Sequence, residues 1–298
     1  MHNAATIHAF VETSAAAARL SAALGIPVRE IAVHRFPDGE SLVRVDRTSE
    51  SVIVYRSLDH PNDKLVEIIL AASALRDQGA TRLILVAPYM CYMRQDTAFH
   101  TGEAVSQKVI GRLLDGVFDG IVTVDPHLHR TPDLAGIFPE AQTVSASATS
   151  LFAAQLRSDG VSADTLLVGP DRESRQWVEA VAQPLGLEVF IGEKSRRSDR
   201  GVDITIPNIA NVKGRPAVII DDVVSTGGTL IRCAKLLEDA GVASMEVLAV
   251  HALWGPEEEA ALLAAGIFRL RSTDSIPHPS NTIHLAPLLA DSLRGMEG

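Results

Sequence analysis

Only two cysteines, Cys91 and Cys233, occur in 298 residues. Two isolated thiols in a chain this long build no disulfide framework, and the lack of any Cys-x-x-Cys pair removes the usual thiolate route to zinc. Such sparing use of cysteine fits a reducing compartment, and the cytoplasm is the expected home. No apolar run reaches the roughly 18 residues that a membrane span requires. The N-terminal stretch lacks the basic-then-apolar order of a signal peptide. Positive charge is also in deficit: 27 Lys and Arg stand against 37 Asp and Glu, a formal net charge of −10. A nucleic-acid or membrane-surface partner calls for the opposite field, so neither is expected. No spacer rich in Gly or Pro divides the chain, so its domains are expected to pack rather than swing on a tether.

What is present is 46% hydrophobic residues in a length that suits two domains better than one. Ala16, Leu20, Ala23 and Leu24 share a helical face between Thr13 and Gly25. Leu65, Ile68, Ile69, Ala72 and Leu75 mark a second helix, and Val105, Val109, Ile110 and Leu113 a third. Short apolar runs at Ile31–Val33, Ser41–Val45, Val52–Tyr55, Arg82–Ala87 and Ile121–Val124 read as strands. The second half continues with strands at Leu166–Gly169 and Leu187–Ile191, a polar basic stretch from Glu193 to Asp203, and a strand at Val247–Val250. Alternation of strand and helix over this length predicts α/β architecture with largely parallel sheets. Residues 82–127 and 215–251 each read strand, polar loop, helix, glycine, strand, histidine. A tandem duplication is therefore expected, with domains at 1–147 and 148–298 and a join near Ser145–Ser150.

One stretch carries the most chemistry: Val218-Ile219-Ile220-Asp221-Asp222-Val223-Val224-Ser225-Thr226-Gly227-Gly228-Thr229. It reads as a buried strand, an acidic pair, a Ser/Thr/Gly turn and then a helix through Leu230, Ile231, Ala234 and Leu237. Glycines allow close backbone approach to a ligand. Amides at a helix start lack intrahelical partners, and the dipole there favours an anion. Hydroxyls from Ser225, Thr226 and Thr229 add donors, so a phosphate monoester suits the turn. Asp221 and Asp222 are placed to accept from sugar hydroxyls, and two carboxylates ending a buried strand are costly without such partners. A phosphorylated sugar is the natural guest.

This stretch resembles the phosphoribosyl diphosphate-binding loop of the phosphoribosyltransferase fold. The first half adds Phe36-Pro37-Asp38-Gly39-Glu40 and, within Tyr89–Asp96, Arg94-Gln95-Asp96. Taken alone, Asp38-Gly39 is a hairpin turn and Arg94 a solvated cation. Together and in this order they resemble the ATP-binding segments of ribose-phosphate diphosphokinases, over nearly the whole chain from Phe36 to His251. The resemblance implies two tandem phosphoribosyltransferase-like domains and assigns ATP to Phe36, Asp38, Gly39, Glu40, Arg94, Gln95 and Asp96. It implies that the Asp-Gly-Glu segment often serves the neighbouring subunit's site, hence a homo-oligomer. It assigns ribose 5-phosphate to Asp221, Asp222, Ser225, Thr226, Gly227, Gly228, Thr229 and Arg196. Lys194 and Arg196 are implied as the catalytic pair on a mobile loop, and His127 and Asp171 as neighbours of Mg²⁺. His129 is a weaker spare for His127. Alone, the strand-end His127 also reads as packing and Asp171 as a helix N-cap.

The chain departs from the family pattern in two places. Asp171-Arg172-Glu173-Ser174-Arg175 stands where many members have a glycine pair after the aspartate. Ser225 stands where many have Asp, as in the archaeal-type branch. The implied activity is transfer of the diphosphoryl group of ATP to ribose 5-phosphate. The acidic-pair loop by itself also fits a transferase that consumes phosphoribosyl diphosphate, and the altered run after Asp171 leaves room for a silent regulatory relative.

Overall fold

The computed structural model of the protein describes residues 5–128, 131–198, 201–207 and 209–296, with the backbone alone over the strands within 194–204. The chain divides into two compact units. The first takes the described residues up to Ser147, Ser275–Pro277 and those from His284 onward; the second is Ala148–Asp274 with His278–Ile283.

The first unit runs β1 (Ala5–Phe10), α1 (Ser14–Leu24), β2 (Val28–Arg35), β3 (Ser41–Arg44), β4 (Ser51–Tyr55), α2 (Pro61–Asp77), β5 (Arg82–Val86), α3 (Ser106–Asp115), β6 (Gly120–Val124) and β7 (Gln142–Ala146). Its strands lie in the order β3-β2-β1-β4-β5-β6-β7. All neighbours pair parallel except β2 and β3, which form an antiparallel hairpin at one edge. Val52, Val54, Leu83 and Leu85 from the sheet and Leu65, Ile68, Leu75 and Leu114 from α2 and α3 belong to one buried core. Parallel strands covered by helices read as unbroken apolar runs, which is why β4, β5 and β6 were visible in the sequence. β1 was not: Thr6 and His8 interrupt it, yet every residue of the strand is buried.

The second unit runs α4 (Thr149–Ser158), β8 (Leu166–Gly169), α5 (Arg175–Ala182), β9 (Glu188–Ile191), β10 (Glu193–Ser198), β11 (Gly201–Thr205), β12 (Pro216–Val224), α6 (Gly228–Asp239), β13 (Ser244–Ala252), α7 (Pro256–Ala264), β14 (Ile267–Thr273) and β15 (Asn281–Ile283). Its main sheet has the order β15-β14-β13-β12-β8-β9, parallel throughout. Leu166, Val168, Ile219 and Val247 share a core with Leu230, Ala234, Leu237 and Leu262 of α6 and α7. The basic stretch from Glu193 is a separate antiparallel ribbon, with Lys194 opposite Ile204 and Arg196 opposite Val202.

Two expectations are corrected here. The second domain was expected to run to residue 298, but the last helix, α8 (Ala286–Gly295), belongs to the first unit. Its Leu289, Ala290 and Leu293 are buried, and Arg294 Nη2 donates to the Ala23 carbonyl at 2.8 Å. The duplication was expected to match β5–α3–β6 with β12–α6–β13. Starting from β1 and β8, however, each sheet places the next strand of the main sheet on one side and the following ones in sequence on the other. That order matches β4–α2–β5 with β12–α6–β13. A local strand–loop–helix pattern repeats in every βα unit, so it cannot set the alignment; strand order does. The first unit's counterpart of the acidic-pair turn is thus Arg56–His60, not Tyr89–Asp96.

Candidate active site

Open parallel sheets bind ligands beyond the carboxyl ends of their strands. In the second unit β8 and β12 are neighbours, with Val168 level with Ile219. Asp171 follows β8, and Asp221 and Asp222 lie in the last part of β12. The structure therefore brings Asp171 and the acidic pair to adjacent strand ends. The buried Cys233 thiol of α6 registers both: burial foremost, then the charges of Asp221 and Asp171, push it up to about 12. Asp222 is buried at 5% exposure and Asp221 half-buried. The Asp222 amide donates to Asp221 Oδ1 at 3.2 Å.

The turn behind the pair has the geometry an anion cradle needs. Gly227 adopts φ 70°, ψ −1°, a left-handed conformation open to glycine at little cost. Leu262 of α7 packs against it so closely that an added Cβ would sit 3.0 Å from Leu262 Cδ2. α6 opens at Gly228 with no side-chain cap on its first amides. Ser225 and Thr229 are half-buried and Thr226 is exposed, so the hydroxyls rim the turn.

Asp171 caps the turn that leads into α5 rather than the helix itself, whose N-cap is Ser174: its Oδ1 accepts from the amides of Glu173 at 3.0 Å and Ser174 at 3.3 Å. In the altered run after Asp171, Ser174 is buried. Its hydroxyl donates to the Asp171 carbonyl at 2.7 Å and lies against Gly169, where a Cβ would collide with it. At the base of the ribbon, Arg172 pairs with Glu193 at 3.2 Å. The side chains of Lys194 and Arg196 lie outside the described ones; their backbone forms β10.

In the first unit Phe36–Glu40 is the exposed tip of the β2–β3 hairpin. The Phe36 amide donates to Glu40 at 2.8 Å, the Gly39 amide to Phe36 at 3.0 Å, and the Glu40 amide to Asp38 Oδ1 at 3.1 Å. Phe36 meets His34 edge-on, 4.9 Å between ring centres. Arg94 is exposed, and Gln95 is held by the Ser106 hydroxyl through its side chain and by the Gln107 amide at 3.2 Å through its carbonyl. Half-buried Asp96 and His127 each have partners. The loops after β5 and β6 are tied where the Val124 amide donates to Pro88 at 3.2 Å. Among the described residues, two of the three non-glycine residues with positive φ fall in these loops, Tyr92 at 59° and Asp125 at 37°. Such conformations cluster at functional sites. His129 lies outside the described residues. β1 and β4 separate β2 from β5, about 14 Å at the usual strand spacing.

Sequence reasoning missed the group that anchors the hairpin. Glu67 of α2 is 1% exposed. It accepts from Arg56 Nη2 at 2.6 Å, Arg35 Nη2 at 3.1 Å and Nε at 3.2 Å, and the Ser41 hydroxyl at 3.0 Å. Burial pushes its pKa up, but Arg56, then Ser41 and Arg35, outweigh that and hold it below the usual value. Arg56 is also buried, pairs with Glu12 at 2.8 Å and lies 3.7 Å over the Phe10 ring. The signal was a carboxylate one position before Ile68, inside an apolar helical stripe.

An acidic pair in the last part of a central parallel strand, which turns through glycines into a helix, puts the second unit with the phosphoribosyltransferases. Residues 144–276 match the phosphoribosyl transferase domain, and residues 6–117 match the N-terminal domain of ribose phosphate pyrophosphokinase. Ribose-phosphate pyrophosphokinase from Methanopyrus kandleri is 34% identical over 94% of this chain and 95% of its own length. The Archaeoglobus fulgidus protein named ribose-phosphate pyrophosphokinase 2 is 33% identical over 93% and 96%. The crystal structure of phosphoribosylpyrophosphate synthetase from Mycobacterium smegmatis has the same fold, with a TM-score of 0.85 and 24% identity over 99% of both chains. The chain belongs to the ribose-phosphate pyrophosphokinase family. No helix of the described residues is long and apolar enough to cross a membrane.

Proposed function

We propose that the protein transfers the diphosphoryl group of ATP to the anomeric hydroxyl of ribose 5-phosphate. The hydroxyl oxygen bonds to the β-phosphorus, the bond from that phosphorus to the α,β-bridging oxygen breaks, and the hydroxyl proton leaves to solvent. The products are phosphoribosyl diphosphate and AMP. What supports the reading most is the Asp221–Asp222 pair in the last part of β12 ahead of the Ser225–Thr229 turn, in a chain whose relatives match along nearly all its length.

In this reading the first amides of α6 and the hydroxyls of Ser225, Thr226 and Thr229 hold the 5-phosphate, joined by Arg196. Asp221 and Asp222 accept from the ribose 2- and 3-hydroxyls and so orient the anomeric oxygen. Phe36, Asp38, Gly39 and Glu40 contact adenine, and Arg94, Gln95 and Asp96 the phosphates. Lys194 and Arg196 meet the charge that builds on the transferring group, where one such donor is worth about 2.7–4 kcal/mol. Mg²⁺ fits the donor set: Asp171 offers carboxylate oxygen beside the acidic pair, and no described cluster of three or more ligands competes with substrate phosphates for the ion. Bound there, it would neutralise phosphate charge; His127 would lie beside the Mg²⁺–ATP. Homo-oligomerisation, with the Phe36 hairpin serving a neighbour, is part of the same proposal.

The test is phosphorus NMR of the protein with ribose 5-phosphate, ATP and Mg²⁺. AMP and the diphosphorylated sugar are expected to rise together, and Lys194→Ala to lower turnover by roughly 10²–10³-fold. Diphosphate release only on addition of a nucleobase would replace the proposal with a phosphoribosyltransferase. Bound ATP without AMP would replace it with a regulatory role.

A further inference from the structure

We propose that Glu67 is a positioning residue for the nucleotide, acting through the Phe36–Glu40 loop. The inference rests on the reading of that loop as the adenine contact. The loop has no core of its own: all five residues are exposed, Phe36 at 41%. It stands on β3, an edge strand of four residues. Such a tip wanders unless its stems are fixed.

Arg35 and Ser41 are the cross-strand pair at the base of the loop. Both donate to the same carboxylate, Arg35 from two nitrogens. Glu67 thus grips the two stems one residue before the loop begins and one residue after it ends. The carboxylate is itself immobilised from behind by Arg56, which Glu12 and the Phe10 ring hold in turn. The result is a chain of charge-assisted contacts from the sheet interior to its edge. The Arg56–Glu67 pair alone would neutralise the buried charges; the extra donors from both stems serve the hairpin. Fixing a binding loop beforehand spares the ordering cost at ligand uptake. Arg35 also reaches exposed Asp63 at 3.3 Å, a contact in solvent that adds little.

The decisive variant is Arg35→Met with Ser41→Ala, which frees both stems and leaves the buried Arg56–Glu67 pair in place. The KM for ATP is expected to rise about tenfold, the equivalent of about 1.4 kcal/mol of ordering, while the KM for ribose 5-phosphate stays within about twofold. Amide exchange over residues 36–41 should quicken in the same protein without ligand. Glu67→Gln, which keeps an acceptor without the charge, should fall between the wild type and this variant. A purely structural clamp would move both KM values alike, or neither, and either result overturns the proposal. Phe36→Ala separates the two levels of inference. If it leaves the KM for ATP unchanged, the loop does not contact adenine and the underlying reading fails. If it raises that KM while Arg35→Met with Ser41→Ala does not, the loop reading stands and Glu67 has no positioning role.

Discussion

Gly227 and Gly228 are adjacent and look interchangeable in the sequence, yet alanine should have opposite effects at the two. Gly227 sits at φ 70°, and its added Cβ would lie 3.0, 3.1 and 3.3 Å from three carbons of Leu262. A left-handed alanine costs about 1–2 kcal/mol. Leu262 is fully buried in the core of the second unit, so it has little room to yield, and overpacking there adds about 1–3 kcal/mol. The loss is then roughly 2–5 kcal/mol, and at about 2–8 °C per kcal/mol the melting temperature should fall by at least about 4 °C. Gly228 is the first residue of α6, and a Cβ there meets only Arg232 Nη1 at 3.7 Å and Thr226 Oγ1 at 3.9 Å, ordinary contacts. Gly228→Ala should melt at or slightly above the wild type, since alanine costs about 0.5–1 kcal/mol less than glycine inside a helix. Its methyl group would nevertheless stand 3.9 Å from the Thr226 hydroxyl, one of the donors proposed for the phosphate. Calorimetric melting with titration of ribose 5-phosphate checks both: Gly227→Ala loses stability, and Gly228→Ala keeps it but loses at least tenfold in affinity, about 1.4 kcal/mol. A Gly227→Ala protein that melts with the wild type would refute the packing argument. Unimpaired sugar-phosphate binding by Gly228→Ala would refute the cradle.

Two further outcomes follow from buried polar groups. Glu246 accepts from Arg271 at 3.1 and 3.2 Å and from Arg269 at 2.6 Å, with the Glu246 and Arg271 side chains 5% and 7% exposed; Glu246→Ala should cost about 3–5 kcal/mol, and an unmoved urea midpoint would count against it. His8 is fully buried with neither ring nitrogen partnered; burial, then Arg29, with Asp46 opposing, lowers its pKa from 6.5 to about 4. Between those values the unfolded chain binds the extra proton, so stability should fall with falling pH by up to about 1.4 kcal/mol per unit. His8→Leu should remove that slope without loss at pH 7, and an unchanged acid limb in pH-dependent melting would exclude His8 as its source.

The same buried polar residues mark where the sequence was hard to read. The acidic-pair strand, its turn and α6 were legible because apolar run, carboxylates and glycines fall in one short segment. β1 was hidden because Thr6 and His8 look solvent-facing, although the strand lies inside the sheet. β14 was hidden in the same way by Arg269 and Arg271, which pair with Glu246 on the neighbouring strand, Arg271 with Asp159 as well. The Glu193 stretch was read as a polar loop; its strands are short and their pairing is antiparallel. Among candidate site residues, those proposed at strand ends could be named from local order alone. Arg35, Ser41 and Glu67 were not, because their link joins a hairpin to a helix 26 to 32 residues away, and spacing carries no trace of it.

The return of α8 to the first unit has a consequence for synthesis. A chain leaving the ribosome completes its second unit when residue 283 has emerged, while the first still awaits the helix that covers α1. The half begun first is thus finished last. Until then its nascent surface keeps an open apolar seat for Leu289 and Leu293. Stopping translation just short of Ala286 should leave the first unit, rather than the second, exposed to protease.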